Sequence, residues 1–152
     1  MTETDPHAPS RLSAVGIGLV ISVVTALLML VSMKSGISPL PKPLGLAFAE
    51  TLSGRALPLP VGLLFHTVYV TFWSMIFVFF FRRRTLTTAL ALAGVLWLGV
   101  LVVFFPVVGW GIAGLNVSPK LIPASLVPHL FFGALLWALD KFVRRGRDTK
   151  AR

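Results

Sequence analysis

The sequence contains no cysteine. Disulfides, thiolate metal sites and cysteine nucleophiles are therefore excluded. Acidic residues are almost as scarce, with only Glu3, Asp5, Glu50, Asp140 and Asp148. No two of them are spaced for paired general acid–base work. A phosphate-binding glycine loop and an HExxH metal helix are also missing. With so little to support catalysis, the reading leans away from an enzyme. Charged residues make up 12% of the chain, against about 25% in ordinary soluble domains. No run alternates apolar and polar residues as a membrane β-barrel strand does.

Long apolar runs take the place of charge. Four of them, Leu12–Met33, Val61–Phe81, Leu86–Val108 and Leu121–Val143, hold 21 to 23 residues each. About 20 helical residues cross a hydrocarbon core of ~30 Å. Backbone groups in lipid must be satisfied within the segment, so each run is expected to be a helix. The predicted fold class is all-α, a polytopic transmembrane four-helix bundle spanning residues 12–143. A disordered cytoplasmic tail (1–11) precedes it and a basic cytoplasmic tail (144–152) follows. The first run is longer than a secretory signal core, and its leader carries two acids and one Arg. It reads as an uncleaved anchor.

The net charge of +9 is distributed as a topology signal. With the N-terminus inside, ten Lys and Arg residues fall on the inner side and four on the outer side. The positive-inside rule then places both termini in the cytoplasm. Arg82, Arg83 and Arg84 in the turn between the second and third runs, with Arg144 and Arg145 after the fourth, are the expected anchors. Anionic lipid head groups are compatible partners for them. Nucleic acid is not an expected partner.

The first connecting loop is proline-rich (SPLPKP, then ALPLP). Between the prolines, Leu44, Ala47, Phe48 and Leu52 recur at helical spacing, which predicts a short outer interfacial helix ended by Gly54. An irregular lid over the bundle is the alternative. In the third loop, Trp110 is expected at head-group level. Ala14, Gly18, Ser22 and Ala26 form a stripe of small residues every four positions, suited to close helix packing. Ala89 and Ala93, and Ala134 and Ala138, repeat the spacing in later runs. The second run is instead bulky, with Tyr69, Phe72, Trp73, Phe77, Phe79, Phe80 and Phe81. Pro60, His66 and Arg82 recur 63 residues later as Pro123, His129 and Arg145, and Trp73 recurs as Trp137 one position off. A duplicated helical hairpin would produce this pattern.

The candidate site is the pair His66 and His129, with Ser125 and Tyr69 nearby. Their positions put the imidazoles about 8 and 12 Å into the outer half of the membrane. Ionisable groups at such depth face a bundle interior or a water-filled cavity. Ser125, His129, Gly133, Leu136 and Asp140 share one face of the fourth run, which Pro128 is expected to bend. Asp140 is expected to partner the neighbouring basic residues. Three readings of the histidines stand side by side. Each ring is a structural hydrogen bonder to Ser22, Thr25, Thr67, Tyr69, Ser125 or a carbonyl; or the pair binds haem or another metal; or it senses or carries protons. No cofactor is predicted outright.

The span beginning with an early His, the basic turn, the segment FPVVGWGIAGL and the final PHLFFGALLWALDKFVRR together resemble small bacterial inner-membrane proteins of the YagU type. The resemblance covers Pro39 to Arg145. It implies a bacterial inner-membrane location and a role in acid tolerance, and it carries over no catalytic residues. The preferred functional expectation is a non-enzymatic scaffolding or stress-related membrane component. A redox or metal-binding subunit using both histidines is the first alternative. A small oligomeric transporter or proton-conducting unit is the second. Expected protein partners are further copies of the chain or a larger membrane complex.

Overall fold

The computed structural model describes residues 10–150, without the side chains of 147, 148 and 150. The expected disordered tail therefore lies almost wholly outside the described residues. Helix α1 runs Arg11–Lys34. It starts where the Ser10 hydroxyl accepts from the Ser13 amide at 3.1 Å, satisfying one orphan donor of the first turn. Helix α2 is Leu44–Ser53, and α3 is Leu59–Phe80 with a proline in its first turn. Helix α4 spans Leu86–Val107. It opens on a capping box in which Thr85 and Thr88 satisfy each other's backbone amides. A π-helical segment, Val100–Phe104, sits immediately before the turn Phe105–Val107 that holds Pro106. Proline offers no N–H to the preceding turn, and the wider π turn accommodates the break in the ladder. After a short 3₁₀ turn, Ile112–Gly114, helix α5 runs Leu121–Lys150. No strand occurs among the described residues.

Helices α1, α3, α4 and α5 are each long and apolar enough to cross a bilayer. Their outward faces are apolar too, with Val20, Val23, Leu27 and Val31 exposed on α1 and Val95, Leu98 and Val102 exposed on α4. This is the architecture of a multi-pass membrane protein. Helix α5 continues past the apolar run, through the basic segment from 144. Lys and Arg are good helix formers, and positive charge suits a helix C-terminus.

Each sequential hairpin packs on itself: α1 against α3, and α4 against α5. The two pairs join through α1 and α5. Small residues set the closest approaches. A Cβ placed on Gly18 of α1 would lie 2.6 Å from the Thr71 Cα of α3. One on Gly133 of α5 would lie 3.0 Å from the Ala89 carbonyl oxygen of α4. Ala14, Gly18 and Ser22 are buried as a stripe, whereas Ala26 is half-exposed and Thr25 takes the next inward position. A helix turns 3.6 residues at a time, so a strict four-residue repeat drifts off the face. Ala89 and Ala93 are fully buried, but Ala134 and Ala138 are exposed. Phe132, Gly133, Leu136 and Asp140 define the inward face of α5 instead.

Helices α3 and α4 make no comparable backbone contact, and rings fill the space between them. Tyr69 of α3 meets Phe104 of α4 edge-on at 5.6 Å, and Phe48 of α2 meets Phe104 at 5.2 Å and Phe65 at 6.1 Å. Helix α2 packs down on α3 at Gly45, where an added Cβ would lie 2.6 Å from the Gly62 carbonyl oxygen, while buried Ala47 joins the α4 residues Val100 and Leu101. Trp110 is turned inward. It is buried against Phe105 at 5.4 Å, in a second core with Val100, Leu101 and Leu121.

Candidate functional site

Both histidines lie at the bundle end capped by α2 and by the loop before α5. His66 is half-buried and points across the closest helix pair, where its Nε2 lies 3.0 Å from the Thr25 Oγ1 of α1. The Thr25 hydroxyl has one proton and sits 2.8 Å from the Ile21 carbonyl, which can only accept. With the hydroxyl donating back along α1, it accepts from His66 Nε2–H, and Nδ1 of His66 keeps its lone pair.

His129 is fixed differently. Its Nδ1 lies 2.7 Å from the Ser125 carbonyl oxygen one turn earlier. A carbonyl accepts, so Nδ1 carries the proton and Nε2 keeps the lone pair. Pro128 lies inside α5 immediately before it. Ser125 itself is buried. Its hydroxyl donates to the Ile122 carbonyl at 3.1 Å and receives the Trp97 indole N–H of α4 at 3.1 Å. No hydrogen bond joins the two imidazoles among the described residues, although they lie within electrostatic reach of each other. Tyr69 packs by its ring on Trp73 and Phe104. The predicted residues His66, His129 and Ser125 therefore fall into two polar contacts, Thr25–His66 and Ser125–His129, the second joined by Trp97. No group of three or more His, Asp or Glu residues capable of holding a metal occurs among the described residues.

Trp97 is not singled out by the sequence alone. An indole N–H within an apolar span needs an acceptor, and that need was the available signal. The two matched histidines of the apparent 63-residue repeat also behave unequally. His66 reaches a neighbouring helix and His129 its own.

The opposite end of the bundle is organised around Asp140, whose side chain is 3% exposed. Its Oδ1 accepts from Arg84 at 2.9 Å, and its Oδ2 accepts from Arg144 at 3.0 Å. Arg144 also donates to the Arg84 carbonyl oxygen at 3.3 Å. One carboxylate thereby ties the α3–α4 turn to the last helix. Arg82 and Arg83 point outward, as does Arg145. Lys141 does not pair with Asp140. Its ammonium sits 4.7 Å over the Trp137 ring.

Compared with known proteins, the chain matches no protein-family model, no curated protein and no solved structure.

Proposed function

We propose that the protein is a non-enzymatic scaffolding component of a bacterial inner membrane, with both termini in the cytoplasm. The observation that carries this reading is the Asp140 clasp. Both carboxylate oxygens are engaged by guanidinium groups from two separate chain segments, which suits a fastener better than a proton carrier. The hydroxyls of Ser22, Thr25 and Ser74 are likewise returned to carbonyls of their own helices. The charge distribution supports the orientation, with the Asp140 end facing the cytoplasm. The YagU-type resemblance extends the proposal to stress or acid tolerance.

The test is complementation of a deletion strain under acid challenge. A His66→Ala/His129→Ala double variant that accumulates normally is expected to restore survival. Loss of survival with normal accumulation and a normal melting profile would overturn the scaffold reading. A reporter fused after Arg152 is expected to be cytoplasmic, and a periplasmic signal would overturn the orientation.

A second reading has its own support. His129 donates Nδ1–H to a carbonyl, the arrangement that orients metal-bound imidazoles and leaves Nε2 to the metal. A haem or metal site on His66 and His129 predicts a Soret band or bound metal in the purified protein, lost in either His→Ala variant. A colourless, metal-free sample removes this reading.

A further inference from the structure

At the Asp140 end, a cleft of about 500 Å³ opens between the start of α4 and the last turns of α5. Arg84, Lys141, Arg144 and Arg145 line it. Asp140 is the one carboxylate bonded to any of them in the described residues, so the cleft keeps a surplus of positive charge. The clasp also leaves donors over. A guanidinium has five N–H groups; Asp140 takes one from Arg84 and one from Arg144, and the Arg84 carbonyl takes one more from Arg144. The carboxylate therefore holds two arginines beside the cleft without exhausting them.

Residues of the first turn of α4 border the same space. Thr85 caps α4 by accepting from the Thr88 amide. The amides of Leu86 and Thr87, in the unpaired first turn, have no such partner within the helix. Both residues line the cleft. The positive end of the α4 dipole adds to the side-chain charge. One wall is apolar, supplied by Leu86 and by Trp137. Trp favours the membrane–water boundary, and the cleft lies at the mouth of four bilayer-length helices.

We infer that this cleft is a binding site for the phosphodiester head group of an anionic phospholipid. Arg84, Arg144 and the α4 amides receive the phosphate, Lys141 and Arg145 supply charge at the rim, and Trp137 packs against the glycerol and upper acyl region. The apolar wall favours a lipid over free phosphate. Basic pockets between membrane helices commonly select such head groups. The inference rests on the bilayer reading of the four spans, not on which side the termini face.

The full-length protein, delipidated in a non-ionic detergent, is titrated with short-chain phosphatidylglycerol, short-chain phosphatidylcholine or inorganic phosphate. The rise in thermal midpoint reports binding. Phosphatidylglycerol is expected to bind at least about tenfold more tightly than phosphatidylcholine, at roughly 1 kcal/mol per basic residue. Lys141→Gln/Arg145→Gln is expected to weaken phosphatidylglycerol binding by about ten- to thirtyfold on the same scale and to leave phosphatidylcholine unchanged. If the double variant does not fold, Arg145→Gln alone, at an exposed position, makes the same comparison. Equal binding of the two lipids, or undiminished phosphatidylglycerol binding by the variant, overturns the site. A phosphate response equal to that of phosphatidylglycerol overturns the lipid assignment in favour of a free anion. Each of these outcomes is separable from failure of the topology, which the fused reporter reads independently.

Discussion

Gly18 and Thr71 mark the tightest crossing of the bundle: a Cβ added to Gly18 would lie 2.6 Å from the Thr71 Cα. The obstacle is backbone, so neither side can yield by a rotamer change. Gly18→Ala is expected to lower stability by about 1–3 kcal/mol, the usual cost of overpacking, and Gly18→Leu by more. Gly16 has nothing within 4 Å. Gly16→Ala is therefore the control, neutral or stabilising by up to about 1 kcal/mol through helix propensity. Thermal unfolding in detergent measures both, and an equal response at the two positions would contradict the crossing.

Thr71 makes a second prediction. Its Oγ1 is buried and finds no hydrogen-bond partner. Valine has nearly the same shape without the polar atom. Thr71→Val is expected to be neutral or stabilising by about 1 kcal/mol, because a buried unpaired hydroxyl carries its desolvation cost uncompensated. A marked loss of stability would mean that the hydroxyl has a role in the bundle.

Asp140→Asn keeps the shape of the side chain and removes its charge. Removing one partner of a fully buried ion pair costs about 3–5 kcal/mol. Arg144 is 40% exposed here, so water screens part of the loss and about 2–4 kcal/mol is expected. The variant should also free the α3–α4 turn, read as faster amide exchange at Thr85 and Thr88. Unchanged stability would remove the clasp from the account.

Glu50 supplies the pH dependence. Its carboxylate bonds Lys42 at 2.7 Å and accepts the Leu57 amide at 3.2 Å, holding α2 to both flanks of its loop. The Lys42 bond first, and then the Leu57 amide, hold its pKa below the ordinary 4.5. A carboxyl lowered on folding stabilises while ionised. Its contribution is full above 4.5 and is lost as pH falls through the lower folded value. Exchange of the Leu57 amide should therefore accelerate on acidification in that window, beyond its intrinsic pH dependence. Glu50→Ala, which removes the acceptor, should exchange rapidly at neutral pH and show no such step.

The four spans were legible because lipid demands long uninterrupted apolar runs. The observed helices begin and end within two residues of those runs, except that α5 reaches Lys150. That extension was hidden because polarity ends a membrane span but does not end a helix. Helix α2 was legible too, from its spacing and from Gly54, which takes a positive φ of 67°. What escaped was pairing across the chain. Arg84 meets Asp140 from 56 positions away, and nothing in three consecutive arginines distinguishes the one that turns inward. Trp97 escaped for the same reason, since its acceptor lies on another helix. The place of each histidine near the start of its helix could be counted from the ends of the apolar runs. The bond His66 makes depends on how α1 approaches α3, whereas His129 bonds within its own helix.

The pairing of the helices bears on the order in which the molecule assembles during synthesis. Helices α1 and α3 are consecutive bilayer-length helices, joined through α2, and can zip together as soon as both are in the bilayer. The face of α1 that meets α5, however, must remain against lipid until the last span is made. Arg84 waits just as long for its carboxylate. A nascent chain released before residue 140 would hold one complete hairpin beside a half-made one, with an unneutralised guanidinium at the membrane boundary. That is the species a membrane quality-control protease would be expected to recognise.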